Sequence, residues 1–187
     1  MPARKRDILL DTAERLFYAE GFHATGVDRV VAEAGVARMT LYNHFSSKDA
    51  LISAVLHRRY ARYLEDLHRA VDEAVAGGAV MALTEAHCRW LETTAHRGCI
   101  VIKAIGEFEQ HHPAIADQGR RLKREVLAVI GAALARDGSV GDSAMAERLS
   151  VILEGANALV PVLGAATLTR HLRAMMAAVC ATPERLV

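Results

Sequence analysis

Residues 25–48 read T-G-V-D-R-V-V-A-E-A-G-V-A-R-M-T-L-Y-N-H-F-S-S-K, and this stretch decides the fold. Thr25 and Asp28 stand three apart ahead of an apolar run, which predicts a helix capped by Thr25 with Val27, Val30, Val31 and Ala34 on its buried side. Gly35 is expected to end that helix and permit a sharp turn, with Val36 returning to the core. A second helix is predicted from about Ala37 to Phe45. Helical spacing puts Leu41 and Phe45 on its inner face and turns Met39, Tyr42 and Asn43 outward, flanked by Thr40 and His44, with Arg38 projecting from the first turn. Two short helices joined by a Gly-containing turn form the helix-turn-helix unit, whose second helix enters the major groove of DNA.

The outward residue types suit that use. Arg38 is fitted to a bidentate contact with guanine, Asn43 to adenine, and Thr40 or Met39 to a thymine methyl. Tyr42, His44 and Lys48 are placed to bond phosphates, which positions a helix without reading sequence. The competing reading is an ordinary helical hairpin with a mixed surface, for which exposed aromatic residues and His are poor choices.

Gly21-Phe22, Ala24-Thr25, Ala34-Gly35-Val36 and then Thr40-Leu41-Tyr42-x-His44-Phe45-x-Ser47-Lys48 with Leu51 form a pattern. It resembles the DNA-binding domain of the TetR family of bacterial transcriptional regulators, over about the first 60 residues. The resemblance draws the turn Thr25, Gly26 and Val27 into the expected DNA-contact set beside Arg38, Met39, Thr40, Tyr42, Asn43, His44 and Lys48. Two departures stand out. Ala37 sits where the family often has Ser, which removes a side-chain cap worth about 1 kcal/mol. Gly26 replaces a frequent Thr or Ser, which removes a phosphate contact.

The 187-residue chain is long enough for one large domain or two modest ones. Its composition, 52% hydrophobic but only 5% aromatic, suits an all-helical protein. The formal net charge is +1, and residues 1–60 carry nine Lys and Arg against seven Asp and Glu. Affinity for DNA must therefore come from local placement and dimerisation rather than a strong overall field. Cys88, Cys99 and Cys180 have no metal-ligand or redox spacing, the basic start has no apolar segment after it, and the apolar stretch 151–168 is broken by Glu154, Asn157 and Pro161. These features lead to the expectation of a cytoplasmic protein with no membrane span, cofactor or metal. His87, Cys88, Cys99, His111 and His112 do not share one helix face, and no nucleophile–base pair or phosphate loop points to an enzyme.

Residues 2–6 read as a basic arm, either frayed or touching DNA. Helices are expected from about Lys5 to Glu20, and from Ser47 to Ala76 with capping spacing at Ser46 and Asp49. Others follow over Val80–His96, Ile100–His112, Pro113–Asp137, Asp142–Leu163 and Thr167–Cys180, the last preceding Pro183. The expected architecture is all-α with about nine helices. Residues 1–47 form the helix-turn-helix DNA-binding domain, and residues 48–187 form a helical ligand-binding and dimerisation domain. The basic run Arg120, Arg121, Lys123 and Arg124 reads as a solvated face or a second DNA contact.

Tyr60, Tyr63, His87, Trp90, Ile105, Phe108 and Glu109 lie on the middle helices, where such a stripe is commonly core. The resemblance implies a small-molecule pocket there, with Trp90, Phe108 and the tyrosines as walls and His87 or Glu109 as polar anchors. The last two helices carry Gly155, Ala158, Leu159, Val162, Leu163, Leu172, Met175 and Met176. They read as monomer core or as a partner surface, and the resemblance implies a two-fold homodimer through them. The function expected is a ligand-responsive repressor that binds a palindromic operator in double-stranded DNA as a homodimer, its effector unidentified. The alternative is a ligand-independent, architectural DNA-binding protein of the same fold.

Overall fold

Leu9, Leu10, Ala13, Leu16 and Phe17 recur at helical spacing and are almost completely buried, and the chain folds there as α1, Pro2–Glu20. The structure, a computed structural model, describes residues 2–181, with side chains from residue 4. The expected basic arm is helical from Pro2 onward, and Pro183 lies outside the described residues. The helices that follow are α2 Val27–Ala34, α3 Arg38–His44, α4 Lys48–Asp72, α5 Ala79–Thr93, α6 Ile100–Phe108, α7 Pro113–Arg136, α8 Ser143–Leu163 and α9 Ala165–Ala181. Nine helices and no strand occur among the described residues, as the sequence leads one to expect.

The chain divides by contact into two compact units, Met1–Ala61 with Ile100–Leu122, and Arg62–Cys99 with Lys123–Val187. Residues 48–61 thus group with the three helices before them, although the character of the sequence changes near residue 47. Both α4 and α7 contribute residues to each unit.

In the first unit α1 packs on α2 and α3, and Val30, Leu41, Phe45, Leu51, Ile52, Val55 and Leu56 close the core around it. Phe22 lies 5.4 Å from the Phe17 ring and 5.5 Å from the Phe108 ring, so α6 is sealed to the turn after α1. Glu14 is buried and accepts from Arg59 Nη1 at 2.8 Å and from Arg58 Nη2 at 3.2 Å, joining α1 to α4. The Arg59 guanidinium also lies 4.3 Å from the centre of the Tyr18 ring.

In the second unit α9 packs against both α5 and α8, with Leu83, Leu91, Leu149, Leu153, Leu172 and Met176 almost fully enclosed. Arg173 of α9 grips Glu85 of α5 with two bonds of 2.6 and 2.8 Å. The N-terminus of α5 follows Gly78, which offers no side-chain cap, and Asp137 at the end of α7 supplies one instead. Its two carboxylate oxygens accept from the backbone of Ala79 at 2.8 Å and Val80 at 2.9 Å. Gly98, at φ +87°, is required twice over, because a Cβ there would also lie 2.9 Å from the Asn157 carbonyl oxygen.

Three local expectations are corrected. Thr25 does not cap α2: Gly26 occupies the cap position, and the buried Thr25 hydroxyl donates to the Gly21 carbonyl at 2.8 Å, closing the turn after α1. At α4 the cap is Ser47 rather than Ser46, its hydroxyl accepting from Ala50 N at 3.0 Å. The α4 helix stops at Asp72 rather than Ala76, because Arg136 takes the Asp72 and Ala74 carbonyls at 2.9 and 3.2 Å and Gly77 turns the chain at φ +74°.

Candidate nucleic-acid interface

The turn between α2 and α3 depends on Gly35, which takes φ 63° and ψ 35°, a left-handed conformation costly for any residue with a Cβ. Its N–H and that of Val36 close on the carbonyls of Ala32 and Val31, the latter at 3.1 Å. Ala37 then starts α3 in extended geometry without a side-chain cap, as its lack of a hydroxyl implies. Leu41 and Phe45 are buried and lock the inner face of α3. The outer face is open: Met39 is 69% exposed, Tyr42 39%, and Arg38 and Asn43 are exposed beside them. Thr40 and His44 are half-buried on its flanks.

Arg38 Nη1 meets Asp28 Oδ1 of α2 at 2.9 Å, and its guanidinium lies 5.8 Å from the Tyr42 ring centre. Hydrogen bonding to Tyr42, then the Asp28 charge, holds the Arg38 pKa above the usual arginine value. Lys48 is half-buried at the start of α4, and burial lowers its pKa despite the opposing Asp49 and Glu107 carboxylates. Gly26 is exposed and Val27 half-buried at the entry to α2. Thr25 is fully buried, so its hydroxyl supports this surface from beneath. At the far end of α3, Arg6 lies 5.4 Å from the Phe45 ring centre.

The first unit also fastens this head to α6 and α7 through contacts that no local motif announces. The His23 ring Nε2 lies 3.1 Å from the Glu107 carbonyl, and His23 stacks on Phe108 at 4.9 Å. His112 Nδ1 meets Asp49 Oδ2 at 2.9 Å, and Gln118 donates to the Ser53 carbonyl at 2.9 Å. These partners stand 63 or more residues apart in sequence, so spacing rules cannot find them.

Of the residues singled out as effector contacts, three come together in the second unit. The Tyr63 hydroxyl is 2.7 Å from His87 Nδ1, and the Tyr63 ring lies 5.1 Å from Trp90. Tyr60, Ile105, Phe108 and Glu109 belong to the first unit, where Phe108 packs on Phe22 and Glu109 pairs with Arg120 at 2.6 Å. Beside His87 runs a polar group that sequence spacing does not assemble: Lys123, expected on a solvated basic face or at a second DNA contact, instead donates to Glu154, whose other oxygen accepts from Asn157 at 3.2 Å. Burial opposes the Lys123 charge, but Cys99 and Glu154 outweigh it and raise its pKa. A lysine and a glutamate one helix apart give no periodic signal.

His87 is fully buried, and its pKa is lowered to about 3, first by burial and then by Lys123, against a weaker opposing influence from the Leu153 backbone. It is therefore neutral when folded and titrates near 6.5 when unfolded. Stability from this group is complete above about pH 6.5 and falls as acid protonates the unfolded chain, by up to about 1.4 kcal/mol per pH unit. We expect His87→Gln to flatten the loss of stability between about pH 6.5 and 5, measured by urea unfolding. A slope equal to that of the parent protein would show that His87 is not buried neutral.

The profile described as "Bacterial regulatory proteins, tetR family" matches residues 9–55. Over 67 residues the chain is 39% identical to the HTH-type transcriptional activator FasR of Mycolicibacterium smegmatis, covering 36% of this chain and 31% of that protein. Over 112 residues it is 36% identical to the HTH-type transcriptional repressor KstR2 of Rhodococcus jostii, covering 60% of this chain and 47% of that one. The matches thus span about a third to a half of these relatives. The crystal structure of SCO4454, a TetR-family transcriptional regulator from Streptomyces coelicolor, superposes with a TM-score of 0.89 at 29% identity, covering 95% of each chain.

Proposed function

Because the chain belongs to the TetR family of bacterial regulatory proteins, we propose that it is a ligand-responsive transcriptional repressor that binds a palindromic operator as a homodimer. The observation that carries the DNA-binding part is the open outer face of α3, where Arg38, Met39, Tyr42 and Asn43 are exposed on a helix clamped by Leu41 and Phe45. Arg38 and Asn43 read bases, Met39 and Thr40 meet thymine methyls, and Tyr42, His44 and Lys48 hold phosphates. Gly26 and Val27 bring the N-terminal turn of α2 to the backbone. The sign of regulation leans on the relative matched over the longer stretch, a repressor, although the other is an activator.

Dimerisation is supported by the apolar face of α8 and α9 that the chain leaves open, including Val151, Leu159, Val162, Leu163 and Met175. Gly155 has no atom near the position of a Cβ and leaves room for a second helix. Effector binding is supported by the cluster of buried Tyr63 and His87 with half-buried Trp90. Tyr63 and Lys48 lie on the same helix, α4, so a shift of that helix on ligand binding moves a phosphate contact. A coupling of about 1–3 kcal/mol changes operator occupancy roughly 5- to 150-fold.

Selection of genomic fragments by the purified protein at about 150 mM salt tests the reading, because nonspecific phosphate binding is weak there. One palindromic sequence is expected. On that sequence, Tyr42→Ala and Lys48→Ala each weaken binding about equally to cognate and mismatched duplexes, and Lys48→Ala lowers the salt slope by about one. Unchanged affinity in both variants would refute this docking.

A further inference from the structure

We propose that Asp28 is a specificity-determining positioning residue: its carboxylate holds the Arg38 guanidinium in the orientation that discriminates guanine. The inference rests on the reading of α3 as the recognition helix. Asp28 stands in the first turn of α2 and is well exposed, its side chain 75% accessible. A carboxylate on a surface meant for phosphates repels the ligand, so its presence there calls for a compensating role. Its carboxylate meets the Arg38 guanidinium of α3, Oδ1 to Nη1 at 2.9 Å.

Guanidinium geometry makes the two roles compatible. Arginine carries five N–H donors, and Asp28 engages one nitrogen, which leaves donors for the two acceptors of a guanine edge. The Tyr42 ring lies 5.8 Å from the guanidinium carbon, so Arg38 is bounded by a carboxylate from α2 and an aromatic ring from its own helix. A long side chain without those bounds swings to a neighbouring base or phosphate, gaining affinity without selectivity. In free protein the pair is solvent-exposed and adds little to stability. Its effect emerges in the complex, where water is excluded and charge-assisted bonds strengthen.

The test is a double-mutant cycle read as base preference. Full-length parent, Asp28→Ala, Arg38→Ala and the double variant each select from a library of randomised duplexes, and every position of the recovered site is then substituted in turn. Arg38→Ala is expected to relax guanine preference at one position per half-site about tenfold. Asp28→Ala relaxes the same position about threefold, with overall affinity unchanged or raised, and adds nothing in the Arg38→Ala background. Unfolding midpoints of all four proteins check that the head remains folded.

If Arg38→Ala relaxes a position but Asp28→Ala changes affinity uniformly, Asp28 is only a surface charge and the proposal falls while the recognition-helix reading stands. If Asp28→Ala alters another position, and does so without Arg38, Asp28 reads a base itself and the proposal also falls. If Arg38→Ala relaxes nothing, or the parent selects no sequence, both readings fall together.

Discussion

On the proposed homodimer reading, replacing Val162 with glutamate is expected to convert the protein to a monomer and to weaken its binding to the proposed palindromic operator by about 100-fold or more. Val162 is 74% exposed, Val151 72%, Leu159 46% and Leu163 47%, a concentration of apolar side chains unusual for a surface with no partner. Val151, Gly155, Ala158, Leu159 and Val162 follow helical spacing, so they lie along one face of α8, and the exposed Met175 adds to it from α9. Leu172 and Met176, also expected at a partner surface, are 0% exposed and lie in the core of the second unit. In a two-fold interface one substitution places two carboxylates in the buried patch, each without a compensating charge. A monomer then engages one half-site and forfeits the gain from linking two. Sedimentation and fluorescence anisotropy read both effects. Val140→Glu, at an 81% exposed site in the turn before α8, serves as the control and leaves both unchanged. A Val162→Glu protein that remains dimeric would place the interface elsewhere.

Glu14→Ala should destabilise the first unit by roughly 3–5 kcal/mol, the range for removing one partner of a buried ion pair. Glu14 is 9% exposed and Arg59 5%, and the single carboxylate serves two guanidiniums. Its loss removes the shared acceptor while Arg59 remains buried and Arg58 half-buried. Arg58 keeps its 2.7 Å bond to Asp11. Glu33→Ala provides the contrast: its partners Arg15 and Arg29 are more than half exposed, so its loss is expected to leave the unfolding midpoint almost unchanged. Denaturant titration of the two variants separates these expectations, and equal midpoints would show that the Glu14 pair is effectively solvated.

The sequence was most legible where function and local geometry coincide. Gly35 had to end α2, Leu41 and Phe45 had to face inward, and so Arg38, Met39, Tyr42 and Asn43 had to face out, because helical period leaves no other choice. The same period fixed nearly every helix boundary to within a few residues. Capping was read less well. Thr25 has the residue type and spacing of a cap, yet its hydroxyl meets Gly21 first, and the α5 cap is Asp137, 58 residues away from Ala79. A local rule sees candidate donors and acceptors but not competing partners brought from elsewhere in the chain.

The candidate effector residues show the same limit. Tyr63, His87 and Trp90 came together, whereas Phe108 was drawn to Phe22 and His23, and Glu109 to Arg120. By itself the sequence determined the all-helical class, the helix-turn-helix and the outward residues of α3, all of which follow from periodicity, glycine conformation and side-chain type. Only the tertiary structure decided which polar groups share a buried site, which apolar residues of α8 and α9 remain open, and that Asp28 meets Arg38. Those are contacts between elements, and the energy of a contact depends on distance and desolvation that no single helix encodes.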